Sequence, residues 1–146
     1  MENAFALVLV ITLASLFGLW HKLNQGSIKS AKNHPNFSSD FSKYGQLGSS
    51  GTLVQFSTQF CSICPASKEV LKQISNQYKN LEFIEIDAEA NLELTKKLAI
   101  LTTPTVLILD ERGEEVARFS GKPNKIKILK FINEYLFSNE LEKRLV

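Results

Sequence analysis

The chain has 146 residues, of which 44% are hydrophobic and 22% are charged, proportions that are ordinary for one globular domain. A net charge of +2, without a basic cluster interleaved with aromatic side chains, excludes nucleic acid as an expected partner. Two cysteines are too few for a disulfide-stapled secreted scaffold, so we expect them to serve reactivity or metal binding.

The chain begins with an apolar segment. Residues 3–20 carry no charge, and as a helix they would be about 27 Å long, close to the thickness of the hydrocarbon core of a membrane. A cleaved signal peptide and a buried helix are the alternatives, but the segment lacks a positive start and a small-residue cleavage site. The sequence therefore predicts a transmembrane anchor at residues 1–22.

The lysines near this segment bear on its orientation. Lys22, Lys29 and Lys32 follow it, whereas the other side carries only the α-amine. The positive-inside rule therefore favours the cytoplasmic face of the cell membrane for the rest of the chain. Persistent disulfides are more typical of the opposite side, which is the alternative orientation.

A polar stretch separates the apolar segment from the remainder. Residues 23–50 are rich in Asn, Ser, Gly and Pro, which favours a flexible tether. We expect one short ordered piece within it, at residues 37–47, where Phe37, Phe41 and Tyr44 can pack on the folded domain.

The folded domain is predicted at residues 51–138, followed by a fraying tail at 139–146. Alternating or continuous apolar runs predict strands, and apolar residues at helical spacing predict helices. In chain order the predicted elements are a strand at 52–57, a helix at 69–78, a strand at 81–87 and a helix at 91–98. Two strands follow at 105–109 and 115–120, and a last helix begins after residue 124. This order predicts an α/β domain with a mixed central sheet flanked by helices.

The two cysteines form a C-x-x-C motif between the first strand and its helix. This arrangement is typical of a redox site. A helix N-terminus stabilises a thiolate, so we assign Cys61 as the nucleophile and Cys64 as the resolving cysteine that displaces the substrate. Pro65 is suited to a first helical turn, since it lacks an N–H that would be unpaired there.

Two other roles for the cysteines stay open. They could be inert core residues, because free cysteine is often buried. They could also be half of a metal site. Zinc requires four ligands, and the only histidines, His21 and His34, lie outside the predicted domain. A metal site would therefore need a second chain.

The segment from Gln55 to Cys64, followed some forty residues later by Thr102–Leu107, resembles the thioredoxin family. With the tether, residues 99–105 and 119–121 resemble its small membrane-anchored members in actinobacteria. The resemblance covers about residues 52–136 and implies the thioredoxin-like fold. It also implies a cis-proline at Pro104 facing the dithiol, and a backbone at Thr103 that receives a substrate strand. Phe60 and Ile63 would complete an apolar groove with these two residues.

The same resemblance shows departures around the dithiol. Gln55 stands where the family carries a buried acid, and an amide cannot act as a base. Phe60 and Ser57 replace tryptophans, and Ser62-Ile63 replaces Gly-Pro between the cysteines. We therefore expect Gln55, Ser57 and Ser62 to surround the dithiol and tune its reduction potential.

The resulting functional prediction is a membrane-anchored thiol–disulfide oxidoreductase. Its partners would be protein disulfides or thiols, a redox protein that recycles the dithiol, and the membrane through residues 3–20. It would need no metal and no cofactor beyond the Cys61–Cys64 disulfide. The alternatives are a non-catalytic adaptor with the same fold, and a dimer that holds a metal or an iron–sulfur cluster through the two cysteines.

Overall fold

The computed structural model describes residues 2–24, 28–30 and 37–137. The helices are α1 (Glu2–Asn24), α2 (Ser38–Phe41), α3 (Cys64–Ser75), α4 (Leu92–Lys97) and α5 (Lys125–Phe131), and α5 continues as a π-helical segment, Ile132–Phe137. The strands are β1 (Lys29–Ser30), β2 (Gly51–Ser57), β3 (Leu81–Asp87), β4 (Thr105–Leu109) and β5 (Glu115–Ser120). From β2 onward this is the predicted order of elements, and the α/β class is confirmed.

The strands form one mixed sheet in the order β1-β5-β4-β2-β3. Strands β2 and β3 are parallel and are connected through α3, whereas the other neighbouring pairs are antiparallel. Phe56 near the end of β2 lies opposite Thr105 at the start of β4. The loop that follows β2 and carries the cysteines therefore lies beside the loop that precedes β4.

The sheet has a hydrophobic cluster on each face, because successive strand residues point to opposite sides. On β2, Val54 and Phe56 belong to the cluster that includes α2 and α4, whereas Leu53 belongs to the cluster that includes α3 and α5. All three side chains are fully buried. The α3 helix is thereby packed against the sheet, which fixes the position of its first residue, Cys64.

Part of the predicted tether is packed on the domain. Strand β1 pairs with β5 at the edge of the sheet, and Phe41 of α2 is 0% exposed within the cluster that Phe37, Tyr44 and Leu47 also contact. The expected ordered piece at 37–47 is thus present, and packing begins before residue 51. Residues 25–27 and 31–36 of the predicted tether, and the predicted tail at 139–146, lie outside the described residues.

Helix α1 carries the apolar segment. Its described side chains are those of residues 5–20, and the large apolar ones that are exposed range from 52% exposed at Leu9 to 77% at Phe5. Over that stretch, and in the rest of the described chain, no helix is long and apolar enough to cross a membrane. The anchor predicted at residues 1–22 gains no support from the fold and stays a prediction.

Candidate active site

The site is centred on a disulfide between Cys61 and Cys64. The two sulfur atoms are 2.08 Å apart and the two Cα atoms 5.4 Å apart. Cys64 is only 3% exposed, whereas Cys61 is partly exposed. The more accessible sulfur is therefore that of Cys61, the residue predicted to be the nucleophile.

Helix α3 begins at Cys64. Cys61 is therefore not at the helix start, the position that its assignment as nucleophile assumed. The backbone N–H of Cys61 donates to the carbonyl of Thr58, and that of Cys64 to the carbonyl of Cys61, both over 3.2 Å. These bonds span three residues and form tight turns ahead of the α-helix. Pro65 lies in the first turn of α3, as expected. Cys61 is thus one turn in front of the helix N-terminus, whose dipole still favours a thiolate there.

The neighbouring loop precedes β4 and carries Thr103 and Pro104. Their peptide bond is cis, the isomer that the resemblance implies. Pro104 is buried, and its carbonyl accepts a hydrogen bond of 2.8 Å from the N–H of Gly121. Pro104 therefore lies beneath the surface, whereas Leu101 and Thr102 of the same loop are exposed.

Exposed apolar side chains lie on both loops. Phe60 is 86% exposed and Ile63 is 42% exposed, next to the two cysteines. Leu101, two residues before Thr103, is 91% exposed, and sequence reasoning missed it. The sequence did contain a signal for Leu101, since it is a large apolar residue in the short connection between the predicted helix at 91–98 and the predicted strand at 105–109.

Gln55 lies beneath the disulfide and is fully buried. Its side-chain Nε2 donates to the carbonyl of Cys64 over 3.3 Å, and its Oε1 accepts from the hydroxyl of Ser67 over 2.6 Å. Both ends of the amide are therefore used to join β2 to the first turn of α3. Ser67 was missed by sequence reasoning, although its position three residues after Cys64 places both on one helix face.

The other two predicted neighbours lie differently. The hydroxyl of Ser57 donates to the Glu85 carboxylate over 3.1 Å, and Ser62 is exposed on the turn. The same carboxylate accepts from the ammonium of Lys68 on α3 over 2.5 Å. This hydrogen bond, together with the negative charge of Glu85, raises the pKa of Lys68. The ion pair therefore further stabilises the positive charge that Lys68 carries at neutral pH, one helical turn beyond Cys64.

The alternative of a metal site requires a cluster of ligating side chains. Within residues 2–24, 28–30 and 37–137, no group of three or more His, Cys, Asp and Glu side chains could hold a metal ion. The chain's two histidines, His21 and His34, were the other candidate ligands, and the structure does not describe their side chains. The described residues offer the two cysteines as a dithiol–disulfide pair.

Comparison with known proteins agrees with this geometry. A family model described as thioredoxin matches residues 30–134. Thioredoxin of Pongo abelii is 30% identical over 82 residues, which cover 56% of this chain and 76% of the relative. Thioredoxin of Ovis aries is 31% identical over 84 residues, or 58% of this chain and 78% of the relative.

Solved structures show the same fold. The crystal structure of thioredoxin f2 from Chlamydomonas reinhardtii matches with a TM-score of 0.55 and 22% identity, covering 69% of this chain and 93% of that one. At this identity the likeness concerns the fold alone. Strands β2–β5 and helices α3–α5 lie within the range that the family model matches.

Proposed function

Since the chain belongs to the thioredoxin family, we propose that it is a thiol–disulfide oxidoreductase that exchanges disulfides with protein substrates through Cys61 and Cys64. The observation that carries this proposal is the disulfide between a partly exposed Cys61 and a buried Cys64 at the start of α3. In the reduced protein, such a pair offers one sulfur to the substrate and keeps the other close behind it.

The exchange proceeds in two steps. The Cys61 thiolate attacks one sulfur of a substrate disulfide, and the other substrate sulfur leaves as a thiolate. Cys64, as a thiolate, then attacks the sulfur of Cys61, which releases the second substrate sulfur and forms the Cys61–Cys64 disulfide. The substrate has gained two electrons and this protein has lost two. A separate redox protein restores the dithiol, and the same steps in reverse oxidise a substrate dithiol.

We assign substrate binding to the exposed apolar surface beside the disulfide, formed by Phe60, Ile63 and Leu101. These side chains are 86%, 42% and 91% exposed, and they lie on the two loops that flank the start of β4 and the end of β2. An extended peptide can pair with the backbone at Thr103 while its side chains cover this surface. Pro104 acts from below by shaping the loop.

A pair of surface substitutions tests this assignment. Changing Phe60 or Leu101 to serine is expected to raise the KM for a protein disulfide such as insulin about three- to tenfold, because each removes buried apolar contact in the complex. Ile126→Ser is a matched control. Ile126 is 79% exposed, and the adjacent Lys125 contacts Gln73, well beyond Cys64 along α3. Equal KM values for all three variants and the wild type would contradict the assignment.

We further propose that residues 3–20 hold the protein at the cell membrane, with the thioredoxin-like domain on the cytoplasmic side. The support is compositional: the segment is uncharged, its exposed side chains are largely apolar, and Lys22 and Lys29 follow it. This arrangement is that of the small membrane-anchored family members which the sequence resembles. Full-length protein should stay in the membrane pellet after an alkaline carbonate wash, and its release into the wash would overturn this proposal.

A further inference from the structure

Two threonine hydroxyl groups bridge the loops on either side of the site. The Oγ1 atom of Thr58 lies 3.2 Å from the Oγ1 atom of Thr103, so one hydroxyl donates to the other. The two residues are 45 positions apart in the sequence. Both side chains are partly buried, which shields the bond from competing water and increases its contribution.

Each threonine is also tied to a reacting or binding part of the site. The carbonyl of Thr58 accepts the backbone N–H of Cys61 over 3.2 Å, so a shift of Thr58 moves the attacking cysteine. Thr103 precedes the cis bond to Pro104, and its backbone lies where the proposed substrate strand would pair. The hydroxyl bridge thus connects the residue that positions the nucleophile with the residue that receives the substrate.

The other described hydrogen bonds of the second loop run to β4, β5 and the end of α4, and none of them runs to the cysteine loop. The hydroxyl of Thr105 donates to the carbonyl of Thr102 over 2.7 Å and also contacts the hydroxyl of Ser120. The N–H of Gly121 donates to the carbonyl of Pro104. These bonds fix the loop on β4 and β5, but they do not set its separation from the cysteine loop.

We propose that the Thr58–Thr103 bridge sets the separation between the two loops, which makes Thr58 a positioning residue for protein substrates. The inference rests on the proposed function and adds a residue to it. A substrate strand held at Thr103 must present its disulfide in line with the sulfur of Cys61, so the separation of the loops decides how well the two align. A small disulfide needs only Cys61, and its reaction does not depend on that separation.

The test compares Thr58→Val, Thr58→Ser and Thr103→Val in the full chain, with a protein disulfide (insulin) and a small one (hydroxyethyl disulfide). Valine keeps the shape of threonine and removes the hydroxyl. Loss of one hydrogen bond of ordinary strength predicts that kcat/KM for insulin falls about three- to tenfold through KM. In Thr58→Val the rate with hydroxyethyl disulfide is expected to stay within about twofold, and Thr58→Ser is expected to restore the insulin reaction. The variant that combines Thr58→Val with Thr103→Val should have the same kcat/KM for insulin as either single variant, since both substitutions remove the same hydrogen bond.

Thr95→Val is the matched control, because its hydroxyl is also partly buried and donates to the carbonyls of Ala88 and Asn91 at α4. It should leave both reactions unchanged. Insulin kinetics equal to those of the wild type in both valine variants would overturn the proposed role of the Thr58–Thr103 bridge. An equal loss of rate with insulin and with hydroxyethyl disulfide would also overturn it, because the effect would then lie on Cys61 itself. If the wild type reacts with hydroxyethyl disulfide and never with insulin, both the proposed function and the proposed role of the bridge are wrong.

Discussion

Replacing Cys61 by serine is expected to lower the rate of disulfide exchange on the order of a thousandfold or more. The attacking group is a thiolate, and a serine hydroxyl stays protonated at neutral pH and does not attack sulfur. The partly exposed position of Cys61, ahead of the N-terminus of α3, is the position from which a thiolate can reach a substrate. The measurement is the rate of insulin reduction with dithiothreitol as the electron source.

The Cys61→Ser protein also lacks the disulfide, which for so short a loop contributes about 2 kcal/mol to the stability of the oxidised form. The reduced wild type is therefore the proper reference for its folding. Activity near that of the wild type would contradict the catalytic account. Loss of activity combined with unchanged binding to a cellular partner and an unchanged phenotype would favour the adaptor alternative.

Replacing Cys64 by serine is expected to stop the reaction halfway. Cys61 retains its accessible sulfur and still attacks, but no second thiolate follows to release the substrate. Each chain should therefore accumulate one covalently bound partner, and turnover should fall by about the same factor as in Cys61→Ser. The adduct is visible as a band of higher mass on a non-reducing gel, and dithiothreitol should remove it.

The control for this experiment is the variant with both cysteines replaced by serine, which has no sulfur to attack with. Adducts in that variant would show that capture does not pass through Cys61. A Cys64→Ser protein that is well expressed and carries no adduct would contradict the assignment of Cys64 as the resolving cysteine.

The strands were predictable because their local pattern matches what the fold requires. Residues 81–87, 105–109 and 115–120 form strands with the predicted bounds, since alternating or continuous apolar residues suit a sheet covered on both faces. Strand β1 was missed. Its two residues, Lys29 and Ser30, are exposed and carry no apolar pattern, so only pairing with β5 makes them a strand.

The sequence predicted that a helix follows the cysteines, but it did not predict where α3 begins. The apolar spacing begins at Val70, whereas the helix begins at Cys64, because its first turn is polar and contains Pro65. Tight turns between Thr58 and Cys64 place Cys61 ahead of the helix. Such turns depend on backbone hydrogen bonds that residue spacing does not reveal.

The C-x-x-C motif predicted the position of the disulfide, but the residues around the disulfide could not be predicted from the sequence. Ser67 is hydrogen-bonded to Gln55, and Thr58 to Thr103. The residues of each pair are far apart in the sequence, and only the tertiary fold brings them into contact. Leu101 is exposed on a loop, where no periodicity marks its role. Sequence thus indicated the reacting atoms, and tertiary contacts supplied the residues that position them.

The reduction potential of the Cys61–Cys64 pair tests the central claim most directly. The full chain would be equilibrated in defined thiol–disulfide buffers, and the fraction of free thiols counted by alkylation and mass spectrometry. A working dithiol predicts one reversible two-electron transition between about −270 and −120 mV. A value near the reducing end would indicate an electron donor to other proteins, and one near the oxidising end an oxidant or isomerase. A disulfide that stays closed below about −300 mV would be a structural one and would contradict the account.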